Sequence, residues 1–439
     1  MKKHTQSPYE SSKVSYKPSG IKWLGEIPKH WEVTKFKYFY RSNMGETILT
    51  QDLETDGIPV YSATEEDKFF GKIKNPVNIL NVNDFVIPAR GTIGAIKIVK
   101  EKSTCTQTTI FSKQFKDINP YYVYYFLLGY RKFLFEFIQT AIPQITISQV
   151  NENPIILPPL QEQKEIAEFL DKKCEKIQNY INKKQKLITL LQEKKQALIN
   201  EAVCGRVACH TERSEVSTTA YKPSGIEYLG LIPHHWEVKK LKHICKINPQ
   251  TNETLPNNFV YIDLESVAKG QLLKEQTINK EQAPSRAQRI LQKQDILFQL
   301  VRPYQRNNYI FNKNGDYVAS TGYAQIRTKE CVNFVYYALL ENSFVERVIL
   351  KSTGSNYPAI TSNDFADLKI PLPPLQEQEE IAEFLDSKVA QIDSVIEKTK
   401  KQIKLIKEYK NTLINEAVCG RVAYSRDFSP TAQNDKKKN

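Results

Sequence analysis

Residues 302–308, Arg-Pro-Tyr-Gln-Arg-Asn-Asn, put two guanidiniums, three carboxamides and a phenol into one short stretch. Forked donors of this kind match base edges, because arginine bonds guanine in two places and asparagine or glutamine does the same to adenine. The candidate contacts are Arg302, Tyr304, Gln305, Arg306, Asn307 and Asn308, with Ser320-Thr321-Gly322-Tyr323 downstream. A leaner set lies at Arg90-Gly91-Thr92-Ile93-Gly94, with Lys97, Thr106, Gln107 and Thr108 beyond it. From it we single out Arg90, Thr92, Lys97 and Gln107, and the glycines would let the backbone come close to a phosphate. Tyr61, Ser62 and Thr64 in the earlier part, and Ser355-Asn356-Tyr357 in the later one, are secondary candidates.

A polyanionic partner also agrees with the net charge of +13, since lysine and arginine gain affinity by releasing counterions from phosphates. The excess is uneven: residues 34–156 carry 14 basic and 12 acidic side chains, residues 239–371 carry 18 and 12. The first region should therefore lean on neighbours for affinity, and the isolated chain should bind DNA poorly.

Catalytic patterns are missing. Asn119-Pro120-Tyr121-Tyr122 lacks the second proline of an amino-methyltransferase loop and reads as a helix start. Asp56 with Glu66-Asp67-Lys68 only loosely imitates a metal-dependent nuclease, and the later half has no counterpart. No Gly-rich phosphate loop ending in Gly-Lys-Ser/Thr occurs, which argues against ATP chemistry. The pair His234-His235 lies in a repeated surface-like segment. The seven cysteines (Cys105, Cys174, Cys204, Cys209, Cys245, Cys331, Cys419) show no Cys-x-x-Cys and read as reduced thiols; Cys204, Cys209 and His210 lack a second ligand pair for zinc. No apolar run reaches a membrane span, and the first residues have two lysines with no apolar stretch behind them, so a cytoplasmic protein is expected.

What must hold the two loops is a chain written twice. YKPSGIKWLGEIPKHWEV (16–33) returns as YKPSGIEYLGLIPHHWEV 205 positions later. LPPLQEQKEIAEFLD (157–171) returns with one change, Lys164 to Glu379, and LINEAVCGRVA (198–208) returns unchanged, both 215 positions later. Each half thus reads as a leading segment, a variable region and a long helix. Both variable regions read as mixed α/β domains, with VYYFLL (123–128) and VYYALL (335–340) marking a matching short helix.

Stepping four and three residues from Leu170 gives Leu170, Cys174, Ile177, Ile181, Lys184, Ile188, Leu191, Lys195, Leu198 and Ala202. The second copy gives Leu385, Val389, Ile392, Ile396, Thr399, Ile403, Ile406, Lys410, Leu413 and Ala417, polar at the same two places. This is a heptad seam, and a helix of this length needs a partner for its apolar stripe. The matched seams predict that the two helices pair with each other. Pro158-Pro159 and Pro373-Pro374 end the preceding strands, and Gly205 and Gly420 fit the helix stops.

The PSGIxWLGxIPxHWEV lead, the LPPLxEQxxIAxFLD helix start and the LINEAVxGRV ending resemble the specificity subunit of type I restriction-modification systems over nearly the whole chain. The resemblance implies a mixed α+β fold in which two α/β target-recognition domains are joined by two long antiparallel coiled-coil helices in a pseudo-two-fold internal repeat. The expected divisions are tail and leading segment 1–33, recognition domain 34–156, long helix 157–208, linker and second leading segment 209–238, recognition domain 239–371, long helix 372–423 and a disordered polar tail 424–439. It further implies that each domain reads one half of a bipartite double-stranded DNA site. Two methyltransferase subunits would dock on the frame, through Gln161, Phe169, Gln376 and Phe384 among others, and ATP-driven restriction subunits would join them. S-adenosylmethionine, ATP and Mg2+ would belong to those partners, this chain binding no cofactor and catalysing nothing. The alternatives are a coiled-coil scaffold that never reads DNA, and a self-sufficient methyltransferase or nuclease.

Overall fold

The computed structural model describes residues 15–65, 68–136, 143–206, 220–226, 229–251 and 253–422. Several expectations fall outside them: most of the 210–220 linker, both tails, Glu66 with Asp67, and Cys209 with His210. The chain forms two compact units, one of residues up to 184 together with those from 401, the other Gln185–Lys400. Each unit holds one variable domain and half of each long helix.

The long helices run over Leu160–Ala202 and Leu375–Val418, 43 and 44 residues, or about 65 Å each at 1.5 Å per residue. Every seam position is buried or half-buried, as the heptad pattern requires. Gly205 and Gly420 end the helices at φ +68° and +71°, a conformation costly for a side chain with a Cβ.

The helices pair antiparallel within each unit. In the second, Ile199 and Ala202 share a core with Ile381, Ala382 and Leu385, while Lys195 Nζ reaches both carboxylate oxygens of Asp393 at 2.9 and 2.7 Å. In the first, Asn119 N–H meets Gln163 near the start of one helix, and the Tyr122 hydroxyl donates to Val418 O at the end of the other. One polar break in the seam is spent on a partner, Lys195 on Asp393, while the charge of Lys410 opposes the upward push of burial on the Cys174 thiol.

The leading segments explain the rest of the duplication. Tyr16–Pro18 pairs with Glu26–Pro28, and the end of the second helix seats on this hairpin: Tyr16 OH donates to Gly420 O at 2.8 Å and Arg421 to Leu24 O at 2.7 Å. Tyr221–Pro223 pairs with Leu231–Pro233, and the end of the first helix seats there through Tyr221 OH to Gly205 O at 3.0 Å. A Cβ on Gly420 would sit 2.6 Å from Pro28 Cγ, and one on Gly205 2.4 Å from Pro233 Cγ, so both approaches need glycine.

Each variable domain is built on a four-stranded antiparallel sheet of matching order. In the first the order is Tyr40–Met44, Thr109–Gln114, Phe85–Pro88, Lys97–Ile98; in the second it is Cys245–Ile247, Tyr323–Thr328, Ile296–Gln299, Tyr309–Ile310. Beside it the first domain adds a three-stranded sheet and the second a four-stranded sheet, each with one parallel pair. The short helices marked by VYYFLL and VYYALL form, as Pro120–Gly129 and Val332–Leu340. Each domain returns through a strand, Pro154–Leu157 or Lys369–Leu372, that pairs with the strand leaving the leading segment. Two lysines share one carboxylate at that junction: Lys35 and Lys37 on Glu152, Lys240 and Lys242 on Asp367. These hydrogen bonds hold the Glu152 carboxyl down to about 2.

Candidate nucleic-acid interface

In both units the donor-rich loop follows a fully buried strand at the same place in the shared sheet, Phe85–Pro88 or Ile296–Gln299. A rigid strand is what a reading loop needs beneath it, since loops carry recognition only when a scaffold positions them.

In the second unit, Arg302 and Arg306 flank a 3-10 turn over Pro303–Gln305, both at positive φ (56° and 54°). Left-handed arginines are uncommon and persist only where their surroundings hold them. Gln299 supplies the hold. Its backbone N–H donates to Asn308 Oδ1 at 2.8 Å, its Nε2 donates to Val301 O and Gln305 Oε1, both at 2.8 Å, and its Oε1 accepts from Asn307 N at 3.2 Å. A glutamine inside the apolar run Ile-Leu-Phe-Gln-Leu was the sequence signal for this hub, and sequence reasoning passed over it.

The candidates divide. Arg302 donates its N–H to Pro358 O at 2.7 Å and lays its guanidinium 4.2 Å from the centre of the Tyr357 ring, so the secondary candidate Tyr357 belongs with it. Tyr304 is exposed. Arg306 instead turns toward the frame, donating to Asn342 Oδ1 at 2.7 Å and to Gln196 Oε1 of the first long helix at 3.2 Å; desolvation lowers its pKa. Gln305 is engaged by Gln299, and Asn308 is 2% exposed, its Nδ2 buried without a partner.

In the first unit, Arg90 is exposed and its Nε donates to Gln144 at 3.0 Å. Thr92 Oγ1 donates to Ala63 O at 2.9 Å, and Lys97, 4% exposed, donates to Ser62 O and Thr64 Oγ1 at 3.0 Å each. The structure therefore brings the 61–64 stretch together with the 90–97 loop, but through contacts that spend Lys97. Gln107 Oε1 accepts from Ile48 N at 3.3 Å. Gly94, at φ +70°, is packed so closely that a Cβ would lie 2.8 Å from Phe135 Cδ2.

The repeated helix start does much of its work inside each unit. Glu162 accepts from Trp31 Nε1 at 2.9 Å with His30 Nε2 at 2.7 Å, and Glu377 repeats this with Trp236 at 3.0 Å and His235 at 2.8 Å. Gln163 is buried and bridges Pro158 O (2.8 Å) and Asn119 N (2.9 Å); Gln378 bridges Pro373 O (2.9 Å) and Cys331 N (3.1 Å). Asp171 and Asp386 accept from Tyr125 and Tyr337 hydroxyls, both at 2.7 Å. Gln161 and Gln376 stay exposed, each bonded four residues on to a glutamate, while Phe169 and Phe384 are half-buried beneath Lys173 and Lys388. Beyond them the helices expose Tyr180, Leu405 and Tyr409 in the first unit, and Leu187, Leu190 and Val395 in the second.

Asn119 caps the helix at Pro120–Gly129, accepting from Tyr122 N at 3.0 Å, so the methyltransferase-like string is a helix start as expected. Among the described residues no group of three or more His, Cys, Asp or Glu could hold a metal, and no helix is long and apolar enough to cross a membrane. Burial pushes the Cys105 and Cys204 thiols up to about 12, which leaves them poor nucleophiles.

Two stretches, 28–192 and 233–405, match the family described as type I restriction modification DNA specificity domain, one in each half of the repeat. The chain is 26% identical over 429 residues to the type I restriction enzyme MjaVIII specificity subunit of Methanocaldococcus jannaschii, covering 90% of this chain and 94% of that one. It is also 26% identical over 430 residues to the putative MjaX specificity subunit of the same organism, covering 91% and 95%. A solved chain from work on complex assembly and conformational transition of the type I R-M system shares the fold at TM-score 0.63 and 16% identity, covering 90% of this chain and 99% of that one. Two family domains, each with its own long helix, account for most of the sequence: the chain belongs to the type I restriction-modification DNA specificity family.

Proposed function

We propose that this chain is the DNA-sequence recognition subunit of a type I restriction-modification assembly, acting on chromosomal or invading DNA in the cytoplasm. Each recognition domain reads one half of a bipartite site, and the paired helices serve as spacer and docking frame. The observation that carries this reading is the placement of two dissimilar donor-rich loops at equivalent positions on a frame written twice. A repeated frame suits two copies of one partner, and dissimilar loops suit two different half-sites. The DNA contacts are drawn from Arg90, Thr92, Lys97 and Gln107 in the first domain. In the second they are drawn from Arg302, Tyr304, Gln305, Asn307 and Asn308, with Arg306 tying the loop to the first long helix. Arg302 and Tyr304, whose side chains make no internal hydrogen bond among the described residues, and the exposed Arg90 lead the set. The chain itself is non-catalytic, and S-adenosylmethionine, ATP and Mg2+ act on the methyltransferase and restriction subunits.

Methylome sequencing of a host with and without this chain tests the proposal: one bipartite methylated motif is expected to vanish with it. Persistence of every motif refutes the proposal, and methyl transfer by the purified chain alone refutes its non-catalytic part.

The docking surface has its own test. Gln161, Phe169, Gln376 and Phe384 occupy matching positions on the two helix starts, and the apolar side chains exposed farther along extend that surface. Buried anchors of this type carry most of an interface's energy. Alanine at all four positions is expected to remove most methyltransferase co-purification, while single-domain melting and helix content are retained. Undiminished co-purification assigns the repeats to folding alone.

A further inference from the structure

Arg289 lies on the edge strand Ala287–Ile290 of the second sheet in the second unit, opposite Ala319 and just past a bulge at Gln288. It is half-buried, and its Nε is buried with no hydrogen-bond partner. Among the described residues no carboxylate pairs with it either. Of the other half-buried arginines of the unit, Arg327 is spent on Asp295 at 2.7 and 2.9 Å, Arg347 on two carbonyls at 3.1 and 3.2 Å and Arg306 on two amides, while Arg302 stacks on Tyr357. A desolvated guanidinium with unmade bonds costs stability, and proteins keep such groups where a ligand completes them.

The strand's position says which ligand. Thr321 N donates to the carbonyl of Arg286, at the foot of this strand, at 2.8 Å; Leu300 N donates to Gly322 O at 2.9 Å; Arg302 N donates to Pro358 O at 2.7 Å. These contacts join in series the start of the Arg289 strand, the 320–322 turn, the end of the strand beneath the recognition loop, and the Arg302–Tyr357 stack. Arg286 adds an exposed cation at the same end. The Asp263 carboxylate, just past the strand Asn258–Ile262 of the same sheet, is engaged by the Ser266 and Glu265 N–H groups and the Ser266 hydroxyl.

We propose that Arg289 is a DNA-contact residue of the second domain, its guanidinium taking an acceptor on the duplex, either a phosphate oxygen or the O6/N7 edge of a guanine. This rests on the reading of the chain as a DNA-recognition subunit.

The test uses the full chain assembled with its methyltransferase subunits and a duplex bearing the motif found by methylome sequencing, beside one with the second half-site scrambled. Arg289→Met, which keeps the stem and drops the unpaired donors, is expected to hold or raise the melting temperature and to weaken cognate binding about ten-fold or more. Binding is measured well below both melting points, so that unfolding contributes nothing. A loss confined to the cognate duplex identifies guanine; an equal loss on both duplexes, with the salt slope reduced by about one, identifies phosphate. Arg289→Lys should recover more of the affinity in the phosphate case, where a point charge suffices, than in the guanine case, where the fork is lost. Unchanged affinity of Arg289→Met on both duplexes overturns the inference whatever its melting temperature. A wild-type assembly that fails to separate cognate from scrambled duplex overturns the underlying reading, and this inference with it.

Discussion

Trp236→Ala is expected to destabilise the second unit by about 3–5 kcal/mol, a large share of the roughly 5–15 kcal/mol that holds a typical domain folded. Trp236 is fully buried, meets Phe334 edge-on at 6.4 Å, and lies so close to Gly205 that a Cβ there would sit 3.1 Å from its ring. Its Nε1 donates to Glu377 on the first turn of the second helix. One side chain therefore fastens a leading segment, the end of one long helix and the start of the other. Alanine leaves a cavity where these three meet and strips Glu377 of a donor. Trp236→Phe keeps most of the volume and loses the N–H, so it should cost far less, on the order of 1–2 kcal/mol. Chemical denaturation followed by circular dichroism measures both. A Trp236→Ala loss under about 1 kcal/mol contradicts the clamp. Trp31, paired with Glu162, should give a matching result in the first unit.

The contrast between helices and loops shows where sequence is legible. The long helices were readable because a heptad seam repeats one physical demand, an apolar side chain every three or four residues; sixteen of the twenty seam positions are apolar and all twenty are buried or half-buried. The stops at Gly205 and Gly420 were readable because few residues other than glycine tolerate that φ. The repeat itself could be seen, but not what each repeated residue does. Glu162, Gln163 and Asp171 look like the solvated face of a helix, and only tertiary placement turns them toward Trp31, Asn119 and Tyr125. The recognition loops were least legible. A string of donors says that hydrogen bonds will be made and not with whom, so Arg302 and Arg306 looked equivalent while the fold sends them in different directions. Arg289 escaped notice because an arginine on an edge strand normally reads as solvated.

That divergence sets up the sharpest functional test. Arg302→Ala is expected to relax the second half of the bipartite motif and to weaken cognate binding about ten-fold to a hundred-fold, the worth of one good bidentate base contact. Its backbone is held at φ 56° by the Pro358 contact and its guanidinium is stacked on Tyr357, so it is presented with little ordering left to do on binding. Arg306→Ala should behave differently. Its guanidinium spans Asn342 and Gln196, tying the loop to the first long helix, and removing it takes that donor from both carboxamide oxygens. The expected signature is a lower melting temperature for the second unit and a moderate loss of affinity for every sequence, with the motif itself unchanged. Methylome sequencing reads the motif, and duplex binding with thermal melting reads the rest. Relaxation of the first half-site by Arg302→Ala, or the same altered motif from both variants, contradicts this division of labour, because a residue fixed to the frame has no base edge to discriminate.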